Sequence, residues 1–349
     1  MKILIISPSW VGDMVMTQSL YITLKEQNPD CIIDVLAPQW CLPILEKMPQ
    51  INKAIEMPLG HGDFNLKARY QLGKSLQNEH YDTAYILPNS AKSSLIPFFA
   101  KIPKRIGWKG EMRYGLINDL RNNKKSFQYM LERYVSLAYP KDKMTGSGCL
   151  GDIHSLPKPK LEINEQIRSN ILEKFNLSLE PKIIGLCPGA EFGPAKRWPE
   201  EHYGEIAKNL IKQGYQVWLF GSAKDRVTTD KIAALVGNTE QDMISNLAGN
   251  TTLNEAVDLL SCCHTVVSND SGLMHVAAAV GCNIVGIYGS SSPLYTPPLT
   301  EHVEIVHTDI ECRPCFKKEC PYQHLKCLND LKPDVVMKRI QNFLEKKEK

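Results

Sequence analysis

Four loops in this 349-residue chain carry residues that could do chemistry. The longest reads Pro188-Gly189-Ala190-Glu191-Phe192-Gly193-Pro194-Ala195-Lys196-Arg197-Trp198-Pro199. Its small residues let backbone amides approach an anion, and Lys196 and Arg197 can balance diphosphate charge. The bland alternative is a loop with solvated cations. A second loop, Asn269-Asp270-Ser271-Gly272-Leu273-Met274-His275, follows an apolar run and opens a helix. The amides of Ser271 and Gly272 suit a phosphate there. Asp270 suits sugar hydroxyls, and His275 is equally well read as a structural hydrogen-bonding group. Asp225 lies beyond Leu219-Phe220-Gly221, where a carboxylate can accept from a ribose or support a helix N-terminus. Asp13 follows Pro8-Ser9-Trp10-Val11-Gly12. It reads either as a helix N-cap or as a base that takes a proton from an acceptor hydroxyl.

Eleven cysteines are present, four of them as Cys312-x2-Cys315-x4-Cys320-x6-Cys327. The first pair has the spacing of a zinc site, which would be structural; the alternative is four reduced thiols in a surface loop. No D-x-D triplet calls for a divalent ion in catalysis, so no cofactor is required.

These loops need strands and helices to position them. Short β-rich runs alternate with helical stretches, starting with Lys2–Ser7, Met14–Gln27 and Ile32–Leu36. Such alternation implies parallel sheets covered on both faces. The Pro-containing stretch His154–Lys160 reads as a linker, after which alternation restarts at Glu165–Phe175 and Lys182–Cys187. The expectation is an α/β protein of two Rossmann-like domains facing across a cleft, residues 1–156 and 161–330, with a C-terminal helix in 331–349. Parallel sheets bind ligands beyond the carboxyl ends of their strands, so the four loops fall in the right places. The single glycine after the first strand is not a G-x-G-x-x-G, which argues against a dinucleotide cofactor. The formal net charge of +3 gives no reason to expect nucleic acid. No stretch reaches the roughly 20 apolar residues of a membrane span, and the first apolar run is short for a signal peptide. A cytoplasmic protein is expected, with peripheral contact at the cytoplasmic face of the inner membrane left open.

The Gly12-Asp13 loop, the stretch from Pro188 to Pro199 and Asp270-Ser271-Gly272-Leu273-Met274-His275 together resemble glycosyltransferase family 9. Pro8–Asp13, Met57-Pro58-Leu59-Gly60-His61-Gly62 and Glu191–Lys196 are closer still to its type II heptosyltransferases. The resemblance covers nearly the whole chain. It implies a GT-B fold whose last helix packs back on the first domain. It implies inverting transfer of L-glycero-D-manno-heptose from ADP-heptose to the first heptose of the lipopolysaccharide inner core, the acceptor being heptosyl-Kdo2-lipid A. By the same analogy Asp13 is the base and Lys196 stabilises the diphosphate. Asp270 meets the donor sugar, Ser271 and Gly272 the phosphates, Asp225 the ribose and Thr251 the adenine; Pro188, Gly189, Ala190, Glu191 and His275 complete the donor set. An acidic glycolipid calls for cations on the first domain, with His61, Lys92, Arg105, Lys109 and Arg113 as candidates. The rivals are a family 9 transferase with another sugar or acceptor, a GT-B-fold sugar-nucleotide epimerase, and a non-catalytic two-lobed binding protein.

Overall fold

The computed structural model describes residues 1–60, 62–237 and 242–345. His61, one of the candidate acceptor contacts, lies outside them. The chain divides into two compact units, Met1–Lys160 and Leu161–Lys349.

The first unit holds strands β1 (Lys2–Ile6), β2 (Ile32–Ala37), β3 (Lys53–Glu56), β4 (Thr83–Ile86), β5 (Lys104–Trp108) and β6 (Asp119–Arg121) in the order β3-β2-β1-β4-β5-β6. The second holds β7 (Ile183–Cys187), β8 (Gln216–Leu219), β9 (Ile244–Asn246), β10 (Thr265–Asn269), β11 (Asn283–Ile287) and β12 (Val303–Val306) in the order β12-β11-β10-β7-β8-β9. All ten pairings are parallel. Counted from the first strand of each unit, both sheets have the order 3-2-1-4-5-6. Each unit is therefore a Rossmann-like α/β domain. The chain reverses direction across the sheet between β1 and β4, and again between β7 and β10. Those two switch points are where the loops part and leave room for a ligand.

The central strands were legible as apolar runs because helices bury them on both faces. Ile3, Leu4 and Ile5 are fully buried, as are Ile184, Leu186, Val266 and Val267. Three strands have no counterpart in the sequence reading: β6, β9 and β12. Each forms one edge of its sheet and has three or four residues, with polar side chains such as Asp119, Asn246 and Glu304. A half-covered edge strand needs no apolar run.

The boundary between the units falls at the end of the predicted linker, four residues beyond the expected limit at 156. Gln18, wholly buried, holds Lys160 by two bonds, Nε2 to the Lys160 carbonyl at 2.7 Å and the Lys160 amide to Oε1 at 2.8 Å. The next residue is anchored in its own unit, with the Leu161 amide bonded to the Ala279 carbonyl at 3.0 Å.

The last helix is Pro333–Leu344. Its buried residues Val336, Ile340 and Phe343 join the second unit's core, in one cluster with Trp198, Tyr203 and Val285. The reason is its apolar stripe at spacings of three and four, which covers the face left open beside the helix Glu200–Lys212. Ile340→Ala should therefore destabilise the second unit by about 2–5 kcal/mol, the scale for emptying a fully buried aliphatic site. Urea unfolding followed by the fluorescence of buried Trp198 and Trp218 reads this directly; a change below about 0.5 kcal/mol would reject the placement.

Candidate active site

In the second unit, the loops after β7 and β10 meet at the switch point. Asn269 closes β10, and its side chain is wholly buried. Its Nδ2 donates to the Pro188 carbonyl at 2.7 Å. Its Oδ1 accepts from the Trp198 amide at 3.1 Å and from the Tyr203 hydroxyl at 3.2 Å. One amide thus fixes both ends of the Pro188–Trp198 loop. Sequence reasoning passed over Asn269, Trp198 and Tyr203 as site residues. The available signal was an uncapped polar amide ending a buried apolar strand, since such a group must find partners.

The clamped loop carries Lys196. Its Nζ lies 2.5 Å from Asp270 Oδ2 and 3.4 Å from the Asp270 carbonyl. The Asp270 side chain is 4% exposed and that of Lys196 18%, so the ammonium reaches the surface while its partner does not. Phe192 places its ring 5.1 Å below the same ammonium. The helix Gly272–Ala279 starts directly after Asp270 and Ser271. Ser271 is its N-cap residue but makes no side-chain cap, so the first-turn amides are not covered by it.

His275 sits one turn into that helix, 5% exposed. Its Nε2 is 4.0 Å from Asp270 Oδ1, and its buried Nδ1 has no protein partner. Burial lowers its pKa from 6.5 to about 4, against the pull of Asp270 and with the help of Lys196. It is a neutral imidazole near pH 7.

A second group of predicted residues gathers around Asp225. Its Oδ2 accepts from the Ser222 amide at 2.9 Å and the Ser222 hydroxyl at 2.7 Å. This is the helix-supporting arrangement, completed before the helix Arg226–Val236 begins. The same carboxylate lies against Gly189, where a β-carbon would come within 2.6 Å of it, so only glycine fits. Glu191 pairs with Lys224 at 2.6 Å on an exposed face. The Ala190 carbonyl accepts from Arg197 Nε at 3.2 Å. Thr251 donates to the Leu247 carbonyl at 3.3 Å, in the turn after β9.

In the first unit, the helix after β1 is Val11–Gln27, with Trp10 at the N-cap position. Asp13 is therefore the third helical residue, and the N-cap reading of it is set aside. Its Oδ1 accepts from the Tyr134 hydroxyl at 3.0 Å. Tyr134 was missed because nothing local links positions 121 residues apart. Burial, with the Asp13 charge nearby, pushes the Cys41 thiol up to about 12.

The proposed acceptor cations divide. Lys109 is exposed, with its Nζ 5.8 Å from the Tyr114 ring. Lys92 is half-buried. Arg105 donates to the Leu116 and Ile102 carbonyls at 2.7 and 2.5 Å. Arg113 is 1% exposed and donates to the Pro88 and Trp108 carbonyls, and burial lowers its pKa to about 10. It builds the loops after β4 and β5 rather than an acceptor surface. The sequence shows a cation in or after a strand in each case; only packing tells which ones turn inward.

Two Rossmann-like domains, the second with a clamped Gly/Pro loop, a lysine and a helix N-terminus at its switch point, are the architecture of the GT-B fold class. The model of "Glycosyltransferase family 9 (heptosyltransferase)" matches residues 69–326, and the chain belongs to that family. It is 50% identical over 345 residues to lipopolysaccharide heptosyltransferase 2 of Salmonella typhimurium, covering 99% of both chains. It is 51% identical over 351 residues to lipooligosaccharide heptosyltransferase 2 of Haemophilus influenzae, covering 99% of this chain and 100% of that one. Among solved structures, that of the ADP-heptose lps heptosyltransferase II of E. coli superposes with a TM-score of 0.89 at 47% identity, covering 99% of this chain and 98% of that one. The chain is a glycosyltransferase. Among the described residues, no helix is long and apolar enough to cross a membrane.

The buried His275 predicts a pH dependence. Its folded pKa lies below its unfolded one, so the unfolded chain binds the extra proton first as pH falls. Stability is then lost as pH drops from about 6.5 towards about 4 and levels off below. The loss attributable to this group is on the order of 3 kcal/mol. His275→Gln should flatten the unfolding free energy across that window, and an unchanged slope in urea titrations would show that His275 charges in the native state.

Proposed function

We propose that this protein transfers L-glycero-D-manno-heptose from ADP-heptose to the first heptose of the lipopolysaccharide inner core, with inversion at the anomeric carbon. The observation that carries the reading is the Lys196–Asp270 pair beside the start of the helix Gly272–Ala279, at the β7/β10 switch point. The names of the relatives at about half identity over full length support the substrates. The acceptor is heptosyl-Kdo2-lipid A, which brings the enzyme to the cytoplasmic face of the inner membrane as a peripheral, cytoplasmic protein. No metal or cofactor is needed for the chemistry.

In this mechanism the acceptor hydroxyl oxygen forms the new bond to the anomeric carbon. The bond from that carbon to the β-phosphate oxygen breaks, and ADP leaves with the electron pair. Asp13 receives the hydroxyl proton, and the Tyr134 hydroxyl orients its carboxylate. Lys196 and the amides of Ser271 and Gly272 stabilise the charge that grows on the diphosphate. Asp270 accepts from the donor sugar. Asp225 holds the ribose and Thr251 the adenine, with Pro188, Gly189, Ala190 and Glu191 along the nucleotide. His275 supports Asp270 from below. Lys92 and Lys109 are the cations placed to meet acceptor phosphate.

The direct test supplies ADP-heptose and a deacylated monoheptosyl acceptor and determines the product linkage. Formation of an α-linked second heptose is expected; a product only with another nucleotide sugar would reject the donor. Lys196→Ala should lower kcat by about 10²-fold or more, the scale of one lost electrostatic stabiliser. An unchanged kcat in a folded variant would remove that role. Asp13→Asn should keep the fold and ADP binding while turnover drops about 10²–10⁴-fold, as for a lost general base. Near wild-type turnover from that variant would mean that the base lies elsewhere.

A further inference from the structure

The cysteine cluster lies outside the chemistry just described. Cys312, Cys315, Cys320 and Cys327 all line one small space of about 10 Å³. That is room for a single water or ion. None of the four forms a disulfide. Cys327 is 7% exposed, on the short helix Lys326–Asn329 that joins the second unit's core, so one wall of the space is rigid. The other three lie on the loop between β12 and that helix. His324 lines the same space, but its Nδ1 already accepts the Lys326 amide at 3.0 Å, and its ring stacks on Tyr322. Among the described residues no three such side chains yet stand at metal-bonding positions. The thiols ring the space without meeting in it.

Two further observations bear on what the ring is for. Phe316, Gln323 and Leu325 all have left-handed backbone, with φ of 54°, 58° and 46°. A non-glycine residue is strained there, and the strain must be offset by what the conformation holds together. In addition, Arg313, Lys317, Lys318 and Lys326 lie on the same segment against the acidic Asp309, Glu311 and Glu319. A tetrathiolate centre around a divalent ion carries a charge of two minus, which this excess of cations offsets in part.

We propose that Cys312, Cys315, Cys320 and Cys327 bind one divalent transition metal, zinc or iron, through four thiolates. Binding displaces four protons from the thiols and changes no oxidation state. The ion is structural, and its loop backs the turn that carries Lys196. The Lys318 carbonyl accepts the Ala195 amide at 3.2 Å, and the Phe316 amide donates to the Ser290 carbonyl at 2.7 Å. Lys318 also fills the position a β-carbon on Gly193 would need, 2.5 Å from its Cγ. Arg313 ties the loop to the end of β11 through its Nε and the Gly289 carbonyl at 2.7 Å. The metal therefore sets the rear wall of the Gly193–Lys196 turn without touching substrate.

Elemental analysis of the full chain, purified without chelators under reducing conditions, tests this. About one zinc or iron per chain is expected. The double variant Cys312→Ser, Cys315→Ser should lose it, and Cys149→Ser, at an exposed site elsewhere, should keep it. If the double variant does not fold, a strong chelator added to the wild type should release the metal and expose four further thiols to a colorimetric reagent. Metal-free protein with those four thiols already reactive, or with two disulfides among them by mass, would overturn the proposal.

Discussion

The buried amide of Asn269 is the constraint on which the Pro188–Trp198 loop, and with it the placement of Lys196, depends. A fully buried side-chain amide left unbonded would cost about 1–3 kcal/mol per unsatisfied group. Here its bonds reach both ends of one loop and the helix beyond it: Pro188 where the chain leaves β7, Trp198 just before the next helix, and Tyr203 in that helix's first turn. The loop between, with its glycines and prolines, would otherwise be among the more mobile parts of the domain. Clamped at both ends to the last residue of the strand that leads into Asp270, the loop is held in place, and so is Lys196. Trp198 and Tyr203 add a ring contact of 4.9 Å between centroids, and the Trp198 Nε1 donates to the Leu331 carbonyl at 2.9 Å. The site is thus fastened to the core of its own domain and to the segment that leads into the last helix.

That arrangement explains which parts of the molecule were legible in sequence. The central strands, the linker and the charged loops are local features: an apolar run, two prolines, a lysine after glycines. They could be read without knowing the fold. Asn269, Tyr134 and Arg113 depend on partners far away in sequence, so nothing in their neighbourhoods distinguishes them. Asp13 shows how close the margin is. A helix beginning near Met14 would have made it the cap; the helix begins at Val11, and the carboxylate falls in the first turn instead. There it still benefits from the helix dipole, while its side chain is turned towards Tyr134.

The two domains share a strand order but no visible sequence repeat. Physical chemistry accounts for this. A parallel sheet of order 3-2-1-4-5-6 needs apolar strands and right-handed crossovers, which many sequences satisfy. What differs is the material at each switch point. The first domain places a carboxylate after β1, met by Tyr134 from the helix Met130–Val135; the second places glycines, a lysine and a helix start without a side-chain cap after β7 and β10. The common architecture supplies the opening, and the loops decide the chemistry.

The pairing of Lys196 with Asp270 looks at first like self-cancellation, a cation already neutralised. The geometry argues otherwise. Asp270 is almost wholly buried and cannot be left without a counter-charge at small cost. It therefore holds Lys196 in place whether or not a ligand is present. An ammonium has three donors, and only Asp270 Oδ2 takes one at close range, the Asp270 carbonyl lying at 3.4 Å. With its tip partly exposed, the same group can hold Asp270 and face a second anion together. His275 completes the balance. Held neutral by burial, it adds no positive charge that would compete for Asp270 and loosen the lysine. The neutral imidazole keeps the carboxylate committed to Lys196, and the positive charge stays at the mouth of the site, beside the helix amides that point the same way.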